Sequence, residues 1–190
     1  MADFEKAYKI TILANEGGYN PGKGEKETYM GIDRGANPHW SGWPLIDKIK
    51  ADHPGITAHE MNIVLGGNAG LQADIKSFYK AGYWATVKLD QVKDQQLANN
   101  LFDCSVNQGS GIACKFMQQA CNTVIDSSAA KLPKLAVDLN PGIKTLSSLN
   151  SLPPAKIMNA INMLRSERYH QSNGFTEWGH VWLNRLTSYV

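Results

Sequence analysis

A chain of 190 residues can bury a sizeable core, and its composition, 43% hydrophobic and 19% charged, is ordinary for a globular protein. A formal net charge of +2, with no long basic run, argues against nucleic-acid binding. No apolar stretch approaches the roughly 20 residues of a membrane span. The N-terminal residues lack the apolar centre of a signal peptide, so we expect synthesis in the cytoplasm and a separate release route.

The cysteines and histidines predict neither disulfides nor a metal site. Cys104, Cys114 and Cys121 are an odd number in a chain without a signal peptide, which favours free, buried thiols. The histidines show no close ligand spacing, so we expect no metal. The chain also lacks a phosphate loop and a Gly-x-Ser-x-Gly motif, and we therefore expect no cofactor.

Apolar residues recur at helical spacing from Asp3 to Asn15, and Gly17-Gly18 ends this predicted first helix. From Tyr19 to Pro54 no helical period survives. The glycines and prolines in that stretch predict either a long loop or a small β-hairpin lobe around Thr28 to Ile32.

The rest of the chain is predicted to be helical. Thr57 and Glu60 have the spacing of a capping box. Further helices are predicted from Leu71 to near Gly82, after the caps Asp94 and Ser110, from Pro154 to about His170, and from Phe175 onward. The predicted fold is mainly α, a helical globule with a small irregular or β-hairpin lobe after the first helix.

Glu16 has the position of a general acid. It lies at a helix C-terminus, where the helix dipole disfavours negative charge and helps a carboxyl group to keep its proton. Glycosidic cleavage needs such a donor and also a second carboxylate or a poised water. Glu25, Glu27 and Thr28 in the following lobe are candidates for that second part. The alternatives are a surface glutamate before a helix-ending Gly-Gly, and a Thr28 that only packs in a hairpin.

Two motifs in this region point to a family. Glu16-Gly-Gly-Tyr19, followed by Thr28-Tyr-Met-Gly31-Ile32, resembles the opening of glycoside hydrolase family 108. Members of that family are lysozyme-like N-acetylmuramidases, found as phage and prophage endolysins and also labelled secretion activators. The similarity continues in order through Tyr83-Trp84, Leu101-Phe102-Asp103, Val106-Asn107-Gln108-Gly109, Met117 to Ala120, Asp138 to Leu146, Arg168-Tyr169 and Trp182 to Arg185.

The resemblance implies a lysozyme-like catalytic domain at residues 1–125 and a C-terminal, peptidoglycan-binding-like helical segment at residues 126–190 packed on it. It implies that the protein is a monomeric peptidoglycan hydrolase that cuts the MurNAc–GlcNAc backbone after holin-type or other release. Glu16 would be the catalytic acid. The residues implied to line the sugar cleft are Tyr19, Tyr83, Trp84 and Asn107, although the aromatic pair has a core position as its alternative.

One position departs from the family pattern, because Lys23 stands where members usually carry an aspartate. Glu25 or Glu27 would then have to take its part, or activity would be lowered. The departure keeps a second interpretation open: a non-catalytic wall-binding or secretion-accessory protein that retains the fold. A third interpretation is a chitinase-like enzyme on the same fold. Retention versus inversion also stays open at this point.

Overall fold

The computed structural model describes residues 1–22, 26–129 and 131–187, and the chain divides into two compact units. The hairpin unit is Tyr8–Lys80, and the helical unit joins Met1–Ala7 to Ala81–Val190. The described residues are mainly helical, with a two-stranded sheet between the first and second helices. The predicted mainly α class with a small hairpin lobe is therefore confirmed. No helix of the described ranges is long and apolar enough to span a bilayer.

The first helix is shorter than predicted. Helix α1, Phe4–Tyr8, runs directly into a π-helical segment, Lys9–Leu13. The predicted last residue, Asn15, lies in the turn that follows, where its side-chain amide donates to the Ile10 carbonyl at 2.6 Å. Asn15 thus satisfies one of the carbonyls that a helix end leaves without a partner.

A short hairpin and a helix follow in the hairpin unit. Strand β1, Thr28–Tyr29, pairs antiparallel with strand β2, Ile32–Asp33. Helix α2, Trp43–Asp52, was not predicted, and the interpretation of residues 19 to 54 as entirely non-helical is wrong. Pro44 is the reason. A proline breaks the interior of a helix, but Pro44 occupies the first turn of α2, where its missing N–H has no partner to lose.

Two capped helices complete the hairpin unit. Helix α3, Ala58–Gly66, begins with the predicted capping box: the Glu60 amide donates to the Thr57 hydroxyl, and the Thr57 amide donates to the Glu60 carboxylate at 2.9 Å. Helix α4, Ala69–Tyr79, is capped by the Asn68 side chain.

The helical unit contains the remaining helices. The π-helical segment Lys80–Ala85 begins at the last residue of the hairpin unit and is followed by a 3₁₀ turn, Leu89–Gln91. Then come α5, Gln95–Gln108; α6, Ser110–Asp126; α7, Ile143–Ser151; α8, Pro154–His170; and α9, Phe175–Thr187. Asp94 caps α5 as predicted. Ser110 does not cap α6, because its hydroxyl donates to the Gly82 carbonyl.

A buried ion-pair cluster joins α5, α8 and α9. Asp103 and Arg165 are both fully buried and pair with each other, and the Arg185 guanidinium reaches the second Asp103 oxygen at 2.8 Å. Loss of one partner would leave a buried charge uncompensated, so this cluster ties the three helices together. The predicted boundary between residues 125 and 126 falls inside this unit, and a functional division there stays a prediction.

The three cysteines are packing residues. Cys104, Cys114 and Cys121 are free and buried, as predicted. Burial raises the pKa of the Cys104 thiol to about 12 and that of Cys114 to about 11, so both stay protonated at neutral pH.

Candidate active site

Glu16 lies just beyond the π-helical segment, in the hairpin unit. Its backbone amide donates to the Ile12 carbonyl at 2.9 Å, which continues the helical hydrogen bonding past Leu13. The residue is half-buried. Gly17 and Gly18 then turn the chain away, and a Cβ on Gly18 would overlap the side-chain amide of Asn62. The sequence thus ends a helix at a carboxyl group that is neither fully buried nor fully exposed.

The hairpin turn contacts the Glu16 carboxyl group. Met30 and Gly31 form the two-residue loop between β1 and β2, with φ angles of +49° and +77°. Two positive φ values mark a type I′ turn, whose twist matches that of a β-hairpin. A Cβ built on Gly31 would lie 2.6 Å from the Glu16 Oε2 atom. The Glu16 carboxyl group therefore lies directly on the Gly31 backbone, and a side chain there would displace it.

Tyr79 also lies beside the Met30-Gly31 turn, and the sequence analysis did not predict it as a site residue. Its hydroxyl donates to the Met30 carbonyl at 2.7 Å and lies 2.8 Å from the Cβ position of Gly31. The ring is buried at the end of α4 and packs near Tyr8, with 6.3 Å between ring centroids. Tyr79 thereby fixes the turn on which the Glu16 carboxyl group lies.

Glu27 is held in an ion-pair cluster. It is 5% exposed, and its Oε1 atom accepts from the Tyr19 hydroxyl at 2.6 Å and from Lys50 at 2.8 Å. Its Oε2 atom forms an ion pair with Arg34 Nε at 2.5 Å. Arg34 and Lys50 also contact Asp47 on α2. Burial alone would raise the pKa of Glu27, but the Lys50 and Tyr19 hydrogen bonds and the positive charges outweigh it and lower the pKa. An ionised, fully engaged carboxylate does not donate a proton, so this placement argues against a catalytic part for Glu27.

Tyr19 belongs to the same cluster as Glu27. Burial and the hydrogen bond to Glu27 raise the pKa of its hydroxyl, which keeps the phenol protonated. Its backbone amide donates to the Asn62 side chain at 2.6 Å, which ties the Gly17-Gly18 turn to α3. Tyr19 is 9% exposed, so the contacts place it as a support of the turn more than as an open sugar-binding surface.

Thr28 pairs through its backbone with Asn20, with both hydrogen bonds at 2.9 Å. Its side chain is half-buried, and its hydroxyl has no hydrogen-bond partner within the described ranges, so it stays a candidate for holding water. Glu25, the other predicted carboxylate of this lobe, and Lys23 lie outside the described residues.

The remaining predicted sugar-binding residues belong to the helical unit. Trp84 is 2% exposed and is enclosed by Phe4 and Phe102, with centroid distances of 5.6 and 5.7 Å. This burial favours the alternative interpretation of Trp84 as a core residue, and its part in sugar binding stays a prediction. Tyr83 is half-buried. Asn107, also half-buried, orients its amide oxygen toward Arg185 at 2.8 Å.

Within residues 1–22, 26–129 and 131–187, no group of three or more His, Cys, Asp or Glu side chains is placed to hold a metal ion. The chemistry that the hairpin unit offers is that of a positioned carboxyl group, because Glu16 has a fixed backbone, a fixed support and partial solvent contact.

The fold and the site define a class of helical protein in which the first helix leads to a carboxyl group that contacts a small hairpin. A profile of the glycosyl hydrolase 108 family matches residues 10–109, which is more than half of the chain. The chain therefore belongs to that family, which makes a glycan its class of substrate. The family's first motifs fall in the hairpin unit, with Glu16 and Gly31 among the matched residues.

A solved structure shares the fold. The structure of SagA from Brucella abortus superposes with a TM-score of 0.64 at 20% sequence identity, covering 98% of this chain and 90% of that one. At this identity the likeness shows the fold alone. None of the curated proteins matches this chain.

Proposed function

We propose that this protein is an N-acetylmuramidase that cleaves the MurNAc–GlcNAc backbone of peptidoglycan, with Glu16 as the proton donor. The observation that carries the proposal is the contact of the Glu16 carboxyl group with the Gly31 turn. A general acid must be held at one place, within hydrogen-bond reach of the leaving oxygen. Backbone contact on one side and partial exposure on the other meet that requirement.

In the proposed reaction, Glu16 gives its proton to the glycosidic oxygen as the bond to the sugar breaks. The positive charge that develops on the sugar needs a carboxylate or an activated water on its other face. Glu27 is engaged by Arg34 and Lys50, so we assign that part to a water or to Glu25, with Thr28 as the side chain that orients the water. We further propose that the protein reaches the wall after release from the cytoplasm.

The test is the cleavage of purified peptidoglycan, measured by the appearance of new reducing ends. Glu16→Gln keeps the size of the side chain but removes the proton donor, and we expect activity to fall by about 10²–10⁴-fold. Glu167→Gln, an exposed glutamate on α8, is the matched control and should cleave at the wild-type rate. Muramic acid at the new reducing ends identifies a muramidase. Glucosamine at those ends, or full activity of Glu16→Gln, contradicts the proposal.

A second candidate function is wall binding without catalysis. It is favoured by Lys23, which stands in place of the family's aspartate. In that case the wild-type chain would sediment with peptidoglycan but release no reducing ends, and Glu16→Gln would sediment equally.

A further inference from the structure

Asn62 on α3 contacts the turn that follows Glu16. Its side-chain Oδ1 atom accepts a hydrogen bond from the Tyr19 backbone amide at 2.6 Å. A Cβ built on Gly18 would overlap this Oδ1 atom, and it would lie 2.7 Å from the Cγ atom and 2.8 Å from the Nδ2 atom of the same amide group. The Asn62 amide group therefore occupies the space that a side chain at position 18 would need.

This contact, and not the backbone conformation, explains the glycine at position 18. The described glycines with a positive φ are Gly22, Gly31, Gly55 and Gly109. Gly18 thus has a φ that residues with a side chain also adopt. The approach of Asn62 is what excludes a side chain there.

Asn62 is also the first anchor of the backbone after Glu16. On the other side, the Glu16 amide donates to the Ile12 carbonyl at 2.9 Å. Within the described ranges, the backbones of Gly17 and Gly18 form no hydrogen bond. Two successive glycines make a flexible connection, so the contact with Asn62 restricts the positions that Glu16 can take.

The amide group of Asn62 is carried by a well-supported helix. The capping box of Thr57 and Glu60 fixes the start of α3, and Met61 and Leu65 on the same helix are fully buried. A side chain on a packed helix is positioned more accurately than one on a loop. Asn62 therefore gives the turn a fixed reference point.

We propose that Asn62 is a positioning residue for glycan cleavage: it fixes the backbone next to Glu16 and thereby the point at which the acid offers its proton. The inference rests on the proposed function, because it needs Glu16 to be the proton donor. Asn62 acts through the turn and does not have to touch the glycan. A displaced acid slows the chemical step without weakening substrate binding, so the loss falls on kcat and not on KM.

The test measures kcat and KM for the release of reducing ends from soluble peptidoglycan fragments. Asn62→Ala removes the acceptor of the Tyr19 amide, and we expect kcat to fall about tenfold with KM unchanged. Asn122→Ala is the matched control, because the Asn122 Oδ1 atom accepts from the Leu135 amide at 2.8 Å in the helical unit. Both variants should lose a few degrees in melting temperature, and Asn122→Ala should keep the wild-type kcat.

A second variant tests the same contact from the side of the turn. Gly18→Ala brings a Cβ against the Asn62 amide group and should also lower kcat about tenfold. Effects that act through one contact are not additive. The double variant, Gly18→Ala with Asn62→Ala, should therefore be no slower than Asn62→Ala alone.

The inference is overturned by an unchanged kcat in Asn62→Ala, by a loss that appears mainly in KM, or by losses that multiply in the double variant. A tenfold fall of kcat in Asn122→Ala would also overturn it, because the effect would then follow from lowered stability alone. The proposed function fails separately, and this inference with it, if Glu16→Gln cleaves as the wild type does or the wild type releases no reducing ends. Activity in the wild type and in Asn62→Ala, but not in Glu16→Gln, contradicts this inference alone.

Discussion

Gly31→Ala should nearly abolish cleavage while leaving the protein folded. The added Cβ would lie 2.6 Å from the Glu16 Oε2 atom, and ordinary contact begins at 3.4 Å, so the carboxyl group must move by about 0.8 Å. A misplacement of about 1 Å at a reacting group can cost about 10²-fold in rate. We therefore expect Gly31→Ala to lose about 100-fold in the release of reducing ends from peptidoglycan.

The effect of Gly31→Ala on the free energy of unfolding must be separated from its effect on the position of the Glu16 carboxyl group. Ala at φ +77° costs about 1–2 kcal/mol because its Cβ approaches the following carbonyl. Each kcal/mol lowers the melting temperature of a protein of this size by about 2–4 °C. Gly55 is the matched control, since its φ is +85° and a Cβ there meets nothing within 4 Å.

Gly55→Ala should therefore lose a few degrees in melting temperature, from the backbone cost alone, and keep wild-type activity; Gly31→Ala should lose at least as much, because its Cβ also overlaps the Tyr79 hydroxyl at 2.8 Å. The measurements are thermal unfolding by circular dichroism and initial rates on purified peptidoglycan. If both variants cleave at the same rate, the contact between Glu16 and the turn has no part in catalysis, and the positional reasoning is refuted.

Three further outcomes follow from the hairpin unit. Glu27→Gln should lower stability by about 1–3 kcal/mol in chemical denaturation, because Arg34 and Lys50 lose the buried negative charge between them and keep only Asp47. Because its pKa is lowered in the folded state, Glu27 stabilises the fold above its unfolded pKa of about 4.3, and this stabilisation is lost as the pH falls through the folded pKa. From pH 7 to pH 3 the melting temperature of the wild type should therefore fall more steeply than that of Glu27→Gln. Parallel curves of melting temperature against pH would contradict this. Tyr79→Phe removes the hydrogen bond to the Met30 carbonyl and should cost about 1 kcal/mol in the same denaturation assay, where an unchanged midpoint would exclude a supporting role.

Much of the fold was predictable because its signals are local. A capping box needs residues three apart, so Thr57 and Glu60 identify the start of α3 without knowledge of the tertiary structure. Asp94 and Pro154 do the same for α5 and α8. The missed helix α2 shows the limit of local reading, because Pro44 breaks a helix interior but suits a first turn.

The partners of the candidate site residues were harder to predict. The ion pairs of Glu27 depend on Lys50, which lies on the unpredicted helix α2, so a role as a free carboxylate was the natural expectation. The burial of Trp84 depends on Phe4 and Phe102, which are far from it in sequence. In both cases a contact distant along the chain decides the surroundings of a side chain, and a local pattern does not contain that contact.

Gly31 shows how a local and a distant requirement meet at one residue. Read locally, a glycine after Met30 favours a tight turn, because the second position of a type I′ loop needs a positive φ. Asparagine also adopts that φ, so turn chemistry alone would tolerate a side chain. The carboxyl group of Glu16, fifteen positions earlier in the chain, overlaps the place of any Cβ on residue 31, so asparagine displaces it as alanine does. A Gly31→Asn variant that keeps the turn but loses the activity would thus separate hairpin formation from placement of the acid.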